Sequence, residues 1–258
     1  MLLAIDCGNT NTVFAVFDGE DAKGEWRCVT DTGQTADRYG AWLNPLMAPA
    51  GVTPGDIDGA IIACVVPEAL SALDELCRGG FSCDPLHIGD PGVELGIEVK
   101  VDHPGEVGAD RLVNAVAAHG RHQGPLILID FGTATTFDVI DGDGSYMGGV
   151  IAPGINLSLE ALHRAAAQLP PIAVQRPSRV IGKGTVEAME SGIFWGYVGL
   201  IEGLVARIID ETGDAKPVVV ATGGLAPLFT DATGVITHAD PDLTMRGLLA
   251  VWRGNRPS

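Results

Sequence analysis

The sequence predicts an α/β protein of two similar domains, each built on a mixed sheet and facing the other across a central cleft. Three observations predict it. Residues 2–16 read LLAIDCGNTNTVFAV and residues 126–140 read LILIDFGTATTFDVI, so one apolar, acidic, glycine and threonine pattern is written twice. Each copy is followed by a turn signal, a further strand pattern and then helical patterns, in the same order. Glycine numbers 35 in 258 residues and aromatics only 5%, the composition of a glycine-turned α/β fold and not of a disordered or fibrous chain. That length allows one large domain or two ordinary ones, and the repeat favours two, divided as 1–117 and 118–258.

In the first half, β-branching and apolar alternation predict a strand over Leu2 to Asp6, a tight turn at GNT, and a returning strand from Thr12 to Phe17 that stops at Asp18-Gly19. A third strand is expected from Trp26 to Thr30. Thr35 to Met47 has helical spacing, AIIACVV at 60–66 is a buried strand, and Pro67 to Leu76 is a helix with proline in its first turn. A helix over 109–122 is expected to bridge the halves. The second half repeats the order with Leu126 to Asp130, Thr135 to Ile140, the turn DGDG at 141–144, and Tyr146 to Ile151. Amphipathic or apolar helices follow over 155–168 and 186–211, then the buried strand and turn PVVVATGG at 217–224 and a last helix over 242–252. Superposing the copies at an offset of 124 residues sets Asp130 on Asp6, Gly132 on Gly8, Thr133 on Asn9 and Thr136 on Thr12.

The net charge of −17, from 16 basic and 33 acidic residues, repels a polyphosphate backbone, so nucleic acid is not an expected partner. A small anion is still compatible with it, since main-chain N–H groups and a divalent ion supply local positive potential. No basic leader precedes an apolar run, and no uninterrupted apolar run reaches the roughly 18 residues of a membrane span. Five cysteines, Cys7, Cys28, Cys64, Cys77 and Cys83, form no CxxC pair, which fits reduced thiols in a cytoplasm.

The turn DCGNTNT carries the first candidate chemistry. An Asp leaving a strand, followed by Gly and small polar residues, lets backbone approach a phosphate while the carboxylate holds a hydrated divalent ion; an Asx turn is the plainer alternative. In EVGADRLVNA, at 106–115, Gly108 and Ala109 leave space. Asp110 starts a helix where the macrodipole favours its anion, and Arg111 can clamp a carboxylate; from spacing alone an N-capping Asp with a solvated Arg is the commoner fate of such a pair. Paired glycines in MGGVIAPG (147–154) and TGG (222–224) suit a flat nucleoside against backbone, or simply turn corners. GKGT at 182–185 imitates the end of a Walker loop but has Pro177 in place of the first glycine, and DGDGS at 141–145 lacks the later calcium ligands. The six histidines show no zinc spacing.

A duplicated Asp-Gly-Thr hairpin with two domains resembles the actin and hexokinase superfamily of phosphotransferases, whose domains are ribonuclease H-like. The ordered set DCGNT, PGEVGADRLVNA, DFGTATTFDVI, GGVIAPGINLSLEAL, QLP, SGIFWGYVGLIEGL, TGG and LTMRGL, running from residue 2 to about 250, resembles more narrowly the type III pantothenate kinases. The resemblance implies transfer of the γ-phosphate of ATP to pantothenate, the first step toward coenzyme A, by a cytoplasmic homodimer. It implies a first phosphate loop of Asp6, Cys7, Gly8, Asn9, Thr10, Asn11, Thr12 and Val13, with Asp6 positioning Mg²⁺. Asp110 is the implied general base, and Gly108, Ala109, Asp110 and Arg111 hold pantothenate, joined by Thr185. Asp130 is the implied ligand of a monovalent cation, K⁺ or NH₄⁺, while Gly132 and Thr133 meet an ATP phosphate. The first domain then carries the first phosphate loop and the substrate segment, and the second carries the other loop and the nucleoside-binding glycines. Val101 stands where a Tyr often lines the pocket, and GKGT where an Arg-Asn pair usually precedes the Thr. A non-catalytic regulatory protein of the same fold, or a kinase for another small hydroxylated acid, are the alternatives.

Overall fold

The computed structural model describes residues 1–166, 169–213 and 216–256. The chain divides into two compact units, 1–120 with 242–258, and 121–241.

The first unit begins with β1 (Leu2–Cys7), β2 (Asn11–Asp18) and β3 (Asp21–Val29), continues through α1 (Ala36–Met47), β4 (Gly59–Cys64), α2 (Pro67–Glu75) and β5 (Pro85–His87), and reaches α3 (Ala109–Arg121). Its sheet has the order β3-β2-β1-β4-β5; β1 runs antiparallel to β2 and parallel to β4. Both faces of β1 and β4 are covered, so these strands are continuous apolar runs without polar alternation. Leu3, Ile5 and Cys7 pack with Tyr39, Leu43 and Met47 of α1 and Leu73 of α2. The four-residue spacing of the α1 residues makes one helical stripe, and burying each is worth about 1.5–3 kcal/mol. Thr35 caps α1, accepting from the Arg38 N–H, and Pro67 opens α2 as expected. Leu2 and Ala4 point to the opposite face, into a cluster with Ala109 and Val113 of α3. Asp6, two residues beyond Ala4, shares that second face.

The second unit contains β6 (Leu126–Phe131), β7 (Ala134–Ile140), β8 (Tyr146–Pro153), α4 (Ile155–Ala165), α5 (Thr185–Thr212), β9 (Val218–Gly223), α6 (Ala226–Thr230) and β10 (His238–Ala239). Its sheet order, β8-β7-β6-β9-β10, repeats the first strand for strand, with the same antiparallel and parallel pairings. Even an irregularity recurs: the register of β2 against β3 shifts between Val16 and Phe17, and that of β7 against β8 between Val139 and Ile140, the residues facing Leu2 and Leu126 respectively. Such bulges are positional features of a strand pair, so their recurrence supports duplication. Phe194, Tyr197, Ile201, Val205 and Ile208 of α5 fill the core against Ile127, Ile129 and Phe131. Although no uninterrupted apolar run is long enough, α5 as a 28-residue helix meets the length and composition of a membrane span. Of its most apolar stretch 33% is buried within the chain, so packing in the second core covers part of it.

Several expectations are corrected. β3 starts at Asp21, not Trp26, because the Gly19 turn leads straight into pairing, and its polar, half-exposed edge hides the strand signal. The edge strands β5 and β10 are too short to show a pattern. α4 stops at Ala165; residues 167 and 168 of the expected helix, and with them Gln168 of QLP, lie outside the described residues. The DGDG turn is a hairpin as expected, with Asp141 Oδ1 accepting from the N–H groups of Asp143 and Ser145.

The division between units also differs from 117/118. Helix α3 belongs almost entirely to the first unit, and α7 (Leu243–Gly254), expected in the second domain, returns to the first. Two glycines explain the docking of α7. A Cβ on Gly247 would stand 2.0 Å from the Val113 carbonyl oxygen of α3, and one on Gly59 of β4 would stand 2.3 Å from the Trp252 ring. Thr244 donates to Asn114 Oδ1 (2.8 Å), and Asn255 exchanges two hydrogen bonds with the Glu94 backbone (2.8 and 2.7 Å).

Candidate active site

The first acidic turn follows β1. Gly8 N–H donates to the Asn11 carbonyl (3.0 Å), and a Cβ on Gly8 would stand 3.3 Å from that oxygen, so the closure favours glycine. Thr30, just past β3, clamps the turn at three points. Its N–H donates to Thr10 O (3.0 Å), its hydroxyl donates to Gly8 O (2.7 Å), and its Oγ1 lies 2.9 Å from the Thr12 hydroxyl. Asn9 and Thr10 are exposed at the tip, Gly8 and Asn11 are half-buried, and Cys7, Thr12 and Val13 are buried. Thr12 spends its hydroxyl inward, on Thr30 and on the Cys7 sulfur (3.5 Å). The neighbouring Cys64 thiol, helped by the Thr12 and Thr30 hydroxyls, holds the Cys7 thiol below its ordinary value against the opposing effect of burial. All five cysteines are free.

Beside this turn, Asp110 opens α3. Its Oδ1 accepts the Arg111 N–H (2.9 Å), satisfying one of the orphan donors of the helix start. Burial pushes its carboxyl above the ordinary value, overcoming the Arg111 N–H and the Arg111 charge that pull it down. Gly108 is what admits the carboxylate: a Cβ there would lie 2.5 Å from Asp110 Oδ1 and 3.6 Å from Val65, the residue after β4. Asp6 stands in register with Ala63 of β4, on the face that carries Ala109 and Val113 of α3. Thus Asp6 and the Gly108–Arg111 segment occupy one end and one face of the first sheet, at the carboxyl ends of its parallel strands, where open α/β sheets bind ligands. A cavity of about 350 Å³ lined by Leu2, Phe17 and Trp252 lies at the other end of β1 and is remote from this chemistry.

The second turn is built alike. Gly132 N–H donates to Ala134 O (3.0 Å), and Gly154, following β8, donates to Thr133 O (3.1 Å). The registers show that this turn is one residue shorter: Cys7 faces Thr12, and Phe131 faces Thr135. The counterpart of Thr12 is therefore Thr135, not Thr136, and by its clamp Thr133 matches Thr10, not Asn9. Gly132 and Thr133 are exposed at the tip, whereas Asp130 is half-buried in register with Thr222. Gly223, at φ +87°, leaves room for Asp130: a Cβ there would lie 2.6 Å from its Oδ1. Thr185 is exposed as the first residue of α5, after a GKGT loop in which the Lys183 N–H is held by Glu187 (2.8 Å). That loop is tied to the helix start and is no phosphate cradle of the Walker kind.

Among the described residues no group of three or more His, Cys, Asp or Glu could enclose a metal. Half-buried carboxylates such as Asp6 and Asp130, beside glycine-walled main chain, fit hard cations that complete their shells with phosphate oxygens and water.

Two copies of one strand order, each with an acidic glycine-closed turn, define an actin- and hexokinase-like fold. Solved structures share it at low identity: a Sinorhizobium meliloti protein described as a 2-dehydro-3-deoxygalactonokinase (TM-score 0.61, 14% identical, covering 100% of this chain and 98% of that one), and a Campylobacter jejuni protein described as a Baf family transcriptional activator (0.60, 18%, 98% of each). The profile of the type III pantothenate kinase family matches residues 2–207. Type III pantothenate kinases of Paramagnetospirillum magneticum and Rhodospirillum rubrum are 63% and 61% identical, over 99% and 100% of this chain and 98% and 100% of theirs. The chain belongs to the type III pantothenate kinase family.

Gly154, whose N–H holds the Thr133 carbonyl, is not among the site residues the sequence points to; the glycine of APG at 152–154 is the available signal.

Proposed function

We propose that the protein transfers the γ-phosphate of ATP to the primary hydroxyl of pantothenate, giving 4′-phosphopantothenate and ADP. Family membership supplies the substrate pair, and the single structural observation that supports it is the pair of matching acidic turns. In this reading the turns Gly8–Asn11 and Gly132–Thr133 each meet phosphate oxygens, through main-chain groups at their tips and through the Thr133 hydroxyl. Pantothenate lies along Gly108, Ala109, Asp110 and Arg111, with the Arg111 guanidinium on its carboxylate, and Thr185 contributes a hydroxyl. Asp110 accepts the hydroxyl proton as the new O–P bond forms and the β–γ bridging bond breaks; the β-phosphate leaves with ADP. A loose phosphoryl transition state needs alignment and charge neutralisation more than a strong base. Asp6 would hold Mg²⁺, and Asp130 a monovalent cation, K⁺ or NH₄⁺; when bound, these ions neutralise phosphate charge. The active form is a cytoplasmic homodimer. Coupled measurement of ADP release with pantothenate, Mg²⁺ and K⁺ tests the proposal. Turnover confined to sugars or polyols would overturn the substrate, and pantothenate binding by calorimetry without turnover would favour a regulatory protein.

A further inference from the structure

The two turns differ in one respect that duplication alone does not explain. In the first, the clamping residue is Thr30, whose hydroxyl bonds Gly8 O and meets the buried Thr12 hydroxyl. In the second, the position 124 residues on is Gly154. The shorter turn leaves no space for a side chain there, since a Cβ would lie 2.1 Å from Thr133 O and 2.7 Å from Gly132 O. Its loss leaves a trace: the Thr135 hydroxyl, counterpart of Thr12, is buried and has no hydrogen-bond partner among the described residues.

A different hydroxyl stands in. Tyr197 of α5 donates to the carbonyl of Pro153 (2.9 Å), the residue before Gly154, and accepts from Ser158 of α4 (2.6 Å). Its ring is buried in the second core, 6.5 Å from Phe229, so the hydroxyl is held in place by packing. From Tyr197 the connection runs through the Pro153–Gly154 peptide to the Gly154 N–H and so to the Thr133 carbonyl.

We infer that Tyr197 is a positioning residue for nucleotide phosphate, doing for the second turn what the Thr30 side chain does for the first. The inference rests on the reading of Gly132–Thr133 as a phosphate-binding turn. Tyr197→Phe keeps the ring and removes only the hydroxyl. It is expected to raise the KM for ATP about five- to ten-fold, the size of one lost hydrogen bond, while leaving the KM for pantothenate within about two-fold. Ser158→Ala is expected to act in the same direction but less, because Tyr197 still donates to Pro153. Thr133→Ala serves as the reference. If Thr133→Ala raises the KM for ATP and neither Tyr197→Phe nor Ser158→Ala does, the positioning role is overturned and the phosphate turn stands. If none of the three moves it, the phosphate-turn reading is overturned as well. An equal loss in both KM values after Tyr197→Phe would also refute the inference, since general loosening of the core predicts that result.

Discussion

Replacing Gly108 by alanine isolates the geometry of the proposed base. The backbone there lies outside the positive-φ range that penalises side chains, so the new methyl has one serious conflict, 2.5 Å to Asp110 Oδ1, with Val65 at an ordinary 3.6 Å. Ordinary contact begins near 3.4 Å, so the carboxylate must retreat by roughly 0.9 Å, giving up its hydrogen bond from the Arg111 N–H. Misplacement of a reacting group by about 1 Å costs on the order of 100-fold, or about 2.7 kcal/mol of barrier. Steady-state kinetics should therefore show kcat down by about two orders of magnitude with the KM for ATP little changed. Combining Gly108→Ala with Asp110→Asn should add almost nothing to the loss from Asp110→Asn alone. Wild-type kcat in Gly108→Ala, or full additivity in the double variant, would refute the claim that this glycine acts by seating the Asp110 carboxylate.

Asp110→Asn should abolish turnover yet raise the melting temperature at pH 7. Because burial raises the folded-state pKa of Asp110, its protonated form is the favoured one. Its stabilising contribution is complete below the unfolded carboxylate pKa and is lost as pH rises through the folded value. The gap between variant and wild type should therefore close on acidification, which melting curves across pH would detect. The same shift places the acidic limb of the kcat/KM profile above the ordinary carboxylate range. Asp130→Asn should remove activation by added K⁺ at constant ionic strength while leaving the fold intact by circular dichroism; retained activation would move the cation site elsewhere. Gly247→Ala should destabilise by about 1–3 kcal/mol through overpacking against Val113, read as a lower melting temperature, and an unchanged melt would disprove the tight α3–α7 crossing.

Much of this architecture was legible because buried strands are long apolar runs. LLAID, AIIACVV, LILID and PVVVATGG each announce a central strand, and the acidic residue at the end of two of them points to the candidate site. Elements on the sheet edges were not legible, since half-exposed DAKGEWRC or a two-residue strand leaves no periodic signal. The exact offset gave the right partner for Asp6 but the wrong one for Thr12, because a one-residue deletion inside a polar turn disturbs no hydrophobic pattern. The docking of α7 depends on the absence of a side chain at Gly247 against a carbonyl far back in the chain. A glycine in a helix pattern does not say what approaches it. Tyr197 was hidden for a similar reason: an aromatic on an apolar helix reads as core, and its ring is core, while only the hydroxyl serves the turn.

The return of α7 to the first unit makes the second unit an insertion within it. During synthesis, β1 and β2 emerge early, but the face of their sheet that receives Met245, Leu248 and Val251 is covered only in part, by α3, until α7 has been made. Nascent chains arrested after residue 241 should accordingly be protease-sensitive in the first unit even when the second has already closed. Shortening the carboxyl terminus should then harm the half of the protein made first.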